Sequence, residues 1–516
     1  MNYKNSQSIY RWISYLFLVL ILLTAGYLRF YHIGEENFWL DEIATIKRAQ
    51  TPLITRTLMT LDAPGVSHFI YDFIIIKAWS VYGTNEGYIR SFSAIISILS
   101  VFLMYRVSRL YFNRRVALMS AFFMALSSYM IYYAQEARAY SLQVMFLLLM
   151  VYFFERALNN PAPKRYWLLY SLVTILGIYI QVFTLFSWVS LNLYAFLRIR
   201  LWKEEIPLKP WIYAQAGIAA AISPYLIYLL IPDARETLDW IPNPNFATVQ
   251  STFKFYIVGM AHHLLPAIWI KESYWFVLLL PGLCLTEIKA WKPIPRLGII
   301  KDKGILLGWV MFLVPFALFI IVSQVKPIFL PNRYLIICLP FFYLLWAAGI
   351  GKLRYAPIQF AAFLMVAFIL LAGLRWHYHW PYKIKWSNVA QIIHQERKPY
   401  DKVWIYPKFW GGGIDYYLKD PIPIYKIKED INIYPLRGKG RIWFIKVISS
   451  SRDKSDVLER YFNQYYQGET RYFYSCPVKV ELILYTPRNQ VSGKKASPQG
   501  KALIENSIKP GNQPDS

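Results

Sequence analysis

The sequence predicts a polytopic α-helical membrane protein with a small α/β domain near its C-terminal end. Of its 516 residues, 56% are AVILMFWYC and 17% are charged, against roughly 25% charged in an ordinary soluble domain. Apolar stretches of about twenty residues recur, which is the length a helix needs to cross a hydrocarbon core. After Leu374 the long apolar runs stop, and shorter runs of mixed polarity replace them. Mean hydropathy is +0.30 and aromatic residues make up 18%. These figures exclude disordered and collagen-like chains and argue against a soluble globular enzyme.

The expected spans are Trp12–Phe30, Tyr88–Leu110, Val116–Tyr133, Tyr140–Leu158, Tyr166–Phe183, Thr184–Leu201, Trp211–Ile231, Tyr274–Leu285, Ile305–Val325, Tyr334–Ile350 and Pro357–Leu374, about eleven in all. The eighth is short and has an alternative start in Leu264–Ile270. Phe69–Trp79 is apolar but too short to span, and reads as a helix lying at the interface. The apolar run after Lys4 and Arg11 is too long for a signal-peptide core, so it reads as a retained first helix.

Charge placement orients the spans. The net charge is +26. In a soluble chain that excess would point to nucleic acid. Here the basic residues gather in short loops, where the positive-inside rule and anionic head groups account for them, so no nucleic-acid partner is expected. Arg106, Arg109, Arg114 and Arg115 follow the second span, and Arg156, Lys164 and Arg165 follow the fourth. Arg198, Arg200, Lys203 and Lys209 follow the sixth, Lys289 to Lys303 the eighth, and Lys352 and Arg354 the tenth. Every even-numbered exit is basic, which puts those loops and the N-terminus in the cytoplasm. The long loop Tyr31–Glu86 and everything after Leu374 then lie outside.

The domain reading is a membrane domain over 1–374, with 31–86 as its first outer loop, an extracytoplasmic α/β domain over 375–486, and a disordered tail over 487–516. Within the α/β domain Lys402–Tyr406, Ile422–Ile427, Arg441–Val447 and Lys479–Tyr485 read as strands, and Trp386–Arg397 and Lys454–Tyr466 as helices. Cys284, Cys338 and Cys476 form no CxxC pair, so neither a disulfide framework nor a zinc knuckle is expected. His262-His263 and His377-Tyr378-His379 lack nearby Cys or acid partners for a closed metal site. Gly411-Gly412-Gly413 is not a GxGxxG pattern, and no Walker motif occurs.

Three segments could carry chemistry. The first outer loop holds Phe38-Trp39-Leu40-Asp41-Glu42, then Asp62-Ala63-Pro64-Gly65, then Lys77 within Phe69–Trp79. Adjacent acids beside an apolar patch at the membrane surface are costly to place without a use. A solvated loop with a snorkelling Lys reads equally well from these residues alone. The second segment, Tyr132-Tyr133-Ala134-Gln135-Glu136-Ala137-Arg138-Ala139-Tyr140, joins spans three and four on the same face. Arg138 either pairs with Glu136 and the head groups or faces an anionic ligand. The third, Pro331-Asn332-Arg333-Tyr334, opens the tenth span on that face. Convergence of acids and cations on one side of the membrane is what a site requires.

These runs resemble those of the GT-C integral-membrane glycosyltransferases, and within them the bacterial branch of family 39, the protein O-mannosyltransferase and aminoarabinose transferase group. The resemblance covers about Trp12–Tyr406 and is strongest over Tyr132–Tyr140. It implies an enzyme of the plasma (inner) membrane that takes sugar from a polyprenyl-phosphate donor on the outer face. The resemblance matches Asp41 to the family's catalytic Asp and Glu42 to its neighbouring acid. Two departures stand out. The family often has Asp, one residue and His-Pro-Pro-Leu where this chain has Asp62-Ala63-Pro64-Gly65. Its fifth span often ends Tyr-x-His-Tyr, where this chain has Tyr179-Ile180-Gln181-Val182.

The residue types suit that chemistry. Asp41 is the expected base for the acceptor nucleophile. Arg138, Arg333 and Lys77 are the expected holders of the leaving phosphate, with Asp62, Glu136, Tyr140 and Tyr334 in support. The expected reaction is a single displacement with inversion. A divalent metal cation between Asp41 and Asp62 is a further option, though two carboxylates alone specify no metal. The acceptor (protein, lipid or glycan) is not written in the chain. Two other readings remain. One is a transporter or flippase for a lipid-linked sugar, which should show charges or Gly/Pro breaks near mid-span. The other is a noncatalytic scaffold.

Overall fold

The computed structural model describes residues 3–52, 68, 70–160, 164–230, 241–260, 279–284, 286–287, 296–297, 302–427, 440–448, 455–474 and 478–488. They fall into two compact units. The first comprises Met1–Ile33 and Thr45–Trp380, and the second joins Gly34–Ala44 to the residues from Pro381 onward.

The first unit is helical. Among the described residues seven helices are long and apolar enough to cross a membrane: Tyr10–Phe30, Glu86–Ser108, Tyr140–Leu158, Leu208–Leu229, Lys303–Val322, Tyr334–Lys352 and Ala356–His379. The pair Arg114–Leu126 and Ser128–Ala134, bent by 59°, makes an eighth if taken as one span. Helices Lys164–Ile180 and Thr184–Trp202 occupy the expected fifth and sixth spans. The chain is a polytopic membrane protein. The expected eighth span, Tyr274–Leu285, lies mostly outside the described residues. Phe69–Trp79, expected as an interfacial helix, holds a π-helical turn over Ile70–Ile75 that continues as α-helix to Trp79.

The bend after Leu126 has a local cause. Ser127 leaves helical geometry and restarts the helix as an N-cap, its Oγ accepting the Met130 N–H at 3.2 Å. The break strands carbonyls at the end of the preceding helix. Arg29, fully buried, donates to Met124 O at 3.2 Å and Ala125 O at 3.1 Å, while its Nε donates to Ser97 Oγ at 2.8 Å. Gly259 follows helix Phe246–Val258 at φ +78, and a Cβ there would sit 2.2 Å from Ser128 Oγ. Glycine is therefore needed both for conformation and for the close approach of Ser128, whose Oγ donates to Val258 O at 2.9 Å. Tyr343, on the buried helix Leu339–Lys352, donates to Ser127 Oγ at 2.8 Å or to Tyr256 O at 2.9 Å. These contacts fix the direction in which Tyr129 and Tyr133 leave the break.

The second unit is built on a five-stranded sheet: β3 (Lys402–Tyr406), β4 (Ile424–Lys426), β5 (Ile442–Ile448), β6 (Tyr466–Tyr474) and β7 (Lys479–Pro487), in the order β4-β3-β5-β7-β6. Thr286–Glu287 and Arg296–Leu297 of the first unit form a separate antiparallel pair, β1 and β2. β3 runs parallel to β4 and β5, while β7 runs antiparallel to β5 and β6. Alternation sends Val403, Ile405, Trp443, Ile445, Leu482 and Leu484 to one face, against Val389 and Ile393 of helix Trp386–Glu396. The other face carries Tyr406, Phe444, Ile483 and Tyr485 against Leu458 and Phe462 of helix Ser455–Tyr465.

The sequence placed strands on β3, β4, β5 and β7 but none on β6. That strand is an edge strand, and its run Gln467-Gly468-Glu469-Thr470 is exposed, so it lacks the apolar alternation of its neighbours. Gly411-Gly412-Gly413 opens helix Gly411–Tyr417. A Cβ at Gly413 would lie 2.3 Å from Trp386 Nε1, so the run serves helix packing. His262-His263, Cys476 and the expected tail beyond Arg488 lie outside the described residues.

Candidate active site

Asp41 and Glu42 stand in the first turn of helix Leu40–Gln50, where the helix dipole favours negative charge. Glu42, fully buried, reaches back so that its Oε2 accepts the Trp39 N–H at 2.8 Å. That is the glutamate half of a capping box. The same oxygen accepts from Lys383 Nζ at 2.9 Å, and the lysine too is buried. Asp41, beside it, is half-buried.

The preceding residues are held by main-chain bonds within the second unit. Glu36 Oε1 accepts the Tyr382 N–H at 2.6 Å and Asn37 Oδ1 the Ser387 N–H at 2.8 Å. The Phe38 N–H donates to the Tyr417 hydroxyl at 2.7 Å. Trp39 meets Trp410 edge to face at 5.4 Å between ring centroids.

In the first unit a second set of polar residues gathers. Arg138, buried, donates from Nη1 to Thr45 Oγ1 at 3.1 Å. Arg48 pairs with the buried Asp72 at 2.9 Å. His68 Nδ1 lies 3.0 Å from Ile180 O. A carbonyl only accepts, so Nδ1 carries the hydrogen and Nε2 keeps its lone pair. Burial pushes the His68 pKa down to about 4, and the nearby Arg138 charge adds to this while Asp72 opposes it. His68 is therefore neutral at pH 7. Lys77 is half-buried, with its Nζ donating to Thr51 O at 3.2 Å.

The Tyr132–Tyr140 and Pro331–Tyr334 segments come together. The Tyr129 hydroxyl lies 3.1 Å from Pro331 O and 3.4 Å from Arg333 O, and the Tyr133 hydroxyl donates to Asn332 O. Tyr133 and Tyr140 rings meet at 4.6 Å, as do Phe183 and Tyr334. Glu136 is buried and Arg333 half-buried. Helix Tyr140–Leu158 begins two residues after Arg138, with Ala139 at its N-cap and no side-chain cap, so both the cation and the helix end favour an anion there. Asp62 lies outside the described residues. Among the described residues no three His, Cys, Asp or Glu side chains gather as a metal site.

The sequence model of the family described as dolichyl-phosphate-mannose-protein mannosyltransferase matches residues 64–228, which include Lys77, Glu136, Arg138 and Tyr140. The fold resembles ArnT from Cupriavidus metallidurans in the apo state, with a TM-score of 0.57 at 9% identity over 92% of this chain and 98% of that one. It also resembles the same protein bound to undecaprenyl phosphate, with a TM-score of 0.50 at 12% identity over 92% and 99%. The chain shares the fold of these structures. None of the curated proteins matches it in sequence.

Five residues of these polar clusters escaped the sequence reading. His68 and Asp72 stand four apart in an apolar segment, a helical spacing that puts them on one face and was their only signal. Thr45 and Arg48 sit on the helix begun by Asp41, unremarkable until a partner is known. Lys383 is one of two lysines in Tyr382-Lys383-Ile384-Lys385, with nothing local to distinguish them.

Proposed function

We propose that the enzyme transfers a sugar from a polyprenyl phosphate to an acceptor on the outer face of the plasma (inner) membrane, by a single displacement with inversion at the anomeric carbon. In this reading the N-terminus is cytoplasmic and the second unit extracytoplasmic. Asp41 takes the proton from the acceptor nucleophile. The new bond forms at the anomeric carbon as its bond to the phosphate oxygen breaks. The polyprenyl phosphate leaves as an anion, held by Arg138, Arg333 and Lys77. Glu42 fixes the turn that carries Asp41, and Glu136, Tyr140 and Tyr334 line the approach, with Asp62 as a supporting acid.

The observation that carries this reading is the meeting of the Arg138 and Arg333 segments through Tyr129, Tyr133 and Tyr140, beside an uncapped helix start. Two cationic segments held by tyrosines suit a phosphate ester at a membrane surface. The undecaprenyl phosphate bound to the ArnT structure supports the same donor class here. The test supplies purified protein with a panel of polyprenyl-phosphate sugars and follows release of the lipid phosphate. Release with at least one donor is expected, and no release from any of them, with a range of acceptors present, overturns the proposal.

A further inference from the structure

We propose that Lys383 is a positioning residue for the first-loop acids, so that the α/β unit is part of the transferase machinery rather than an appendage. The inference rests on the reading of Asp41 as base. Asp41 sits in a helical first turn, and its direction follows that of the turn. Contacts to Glu36–Glu42 from the residues after Pro381 hold that turn. Lys383 clamps Glu42 at 2.9 Å. Trp410 stacks edge-on against Trp39. The Tyr417 hydroxyl receives the Phe38 N–H. The Tyr382 and Ser387 amides bind Glu36 and Asn37.

The Lys383–Glu42 contact is the one that fixes direction most tightly. Glu42 Oε2 serves the Trp39 amide and Lys383 together, so one carboxylate ties the helix start to the sheet unit. Lys383 is itself fixed, since its carbonyl accepts from the Tyr474 hydroxyl at 3.1 Å on β6. Charge is also matched: a buried carboxylate is tolerated where a buried ammonium meets it. Removing the ammonium takes a buried counter-charge from Glu42, and the turn moves with it. Displacement of a reacting group by about 1 Å costs on the order of 10²-fold in rate.

The experiment compares the intact protein with Lys383→Met, Lys383→Arg and Tyr417→Phe, using a polyprenyl-phosphate sugar that the unaltered enzyme turns over. For Lys383→Met a fall in kcat on the order of 10²-fold is expected, with donor KM changed less than about threefold because the phosphate-holding cations are untouched. Lys383→Arg keeps the charge and recovers most of the rate. Hydrogen exchange in the peptide spanning residues 36–44 rises in Lys383→Met and returns in Lys383→Arg. Should Lys383→Met fail to accumulate, Tyr417→Phe decides, with a smaller loss of kcat and faster exchange in the same peptide. Unchanged kcat and unchanged exchange in the variant that accumulates overturn the positioning role. If the unaltered enzyme turns over no donor, the fault lies with the proposed function, and the exchange measurement still judges the clamp.

Discussion

Arg138 Nη1 donates to Thr45 Oγ1 at 3.1 Å, and Thr45 stands one helical turn after Asp41. A hydroxyl aims a guanidinium without cancelling its charge. Arg138→Ala is expected to lower kcat by about 10²–10³-fold, the usual effect of deleting one donor to a developing anion. Arg138→Lys should restore little, since an ammonium lacks the planar fork. Steady-state kinetics with a polyprenyl-phosphate sugar check this, and near-normal rates in Arg138→Ala would remove the residue from the site.

Asp41→Asn preserves shape and removes the proposed base. Turnover should drop by about 10²–10⁴-fold, while binding of the lipid-phosphate donor, followed by tryptophan fluorescence or calorimetry, stays within a few-fold. A variant that keeps its turnover shows that another group takes the proton.

His68 gives the fold a dependence on pH. Its folded pKa is about 4 against an ordinary 6.5, so between those values the unfolded chain takes up a proton that the folded one refuses. Stability therefore rises with pH across that window and is lost on acidification from 6.5 toward 4. The loss reaches about 3 kcal/mol at most by linkage. Thermal unfolding of the solubilised protein from pH 4 to 7 should show it, and His68→Asn should flatten the slope. An identical slope in the variant would place the dependence elsewhere.

Glu155 and Arg198 form a buried pair at 2.7 Å, which Glu204 extends to Lys303 at 2.8 Å. The pair ties helix Tyr140–Leu158 to helix Thr184–Trp202. Glu155→Ala leaves Arg198 short of one buried partner and should cost about 3–5 kcal/mol, read as a lower unfolding temperature. Glu155→Asp should recover part of it.

Much of the architecture was legible because apolar length is a strong, local signal. The Tyr132–Tyr140 and Pro331–Tyr334 segments were visible for the same reason, as polar and aromatic residues interrupting long apolar runs. The break at Ser127 was not, because Val116–Tyr133 reads as one continuous span and two serines in a row are a faint cue. Arg29, which satisfies the carbonyls at that break, lies at the end of a different helix. The grouping of Gly34–Ala44 with the residues after Pro381 was equally hidden. Nothing in Phe38–Glu42 encodes a lysine 341 positions away. Local pattern reports periodicity and capping, and only the folded chain reports which distant backbone donors a loop meets.

That separation has a consequence for biosynthesis. At about 5–20 residues per second, Glu42 leaves the ribosome roughly 17–70 seconds before Lys383, given their 341-residue spacing. Throughout that interval the nascent polypeptide inserts its hydrophobic segments while its acidic turn lacks its cationic anchor. Ribosomes that terminate before Lys383 would thus release embedded fragments whose Glu42 never meets that lysine.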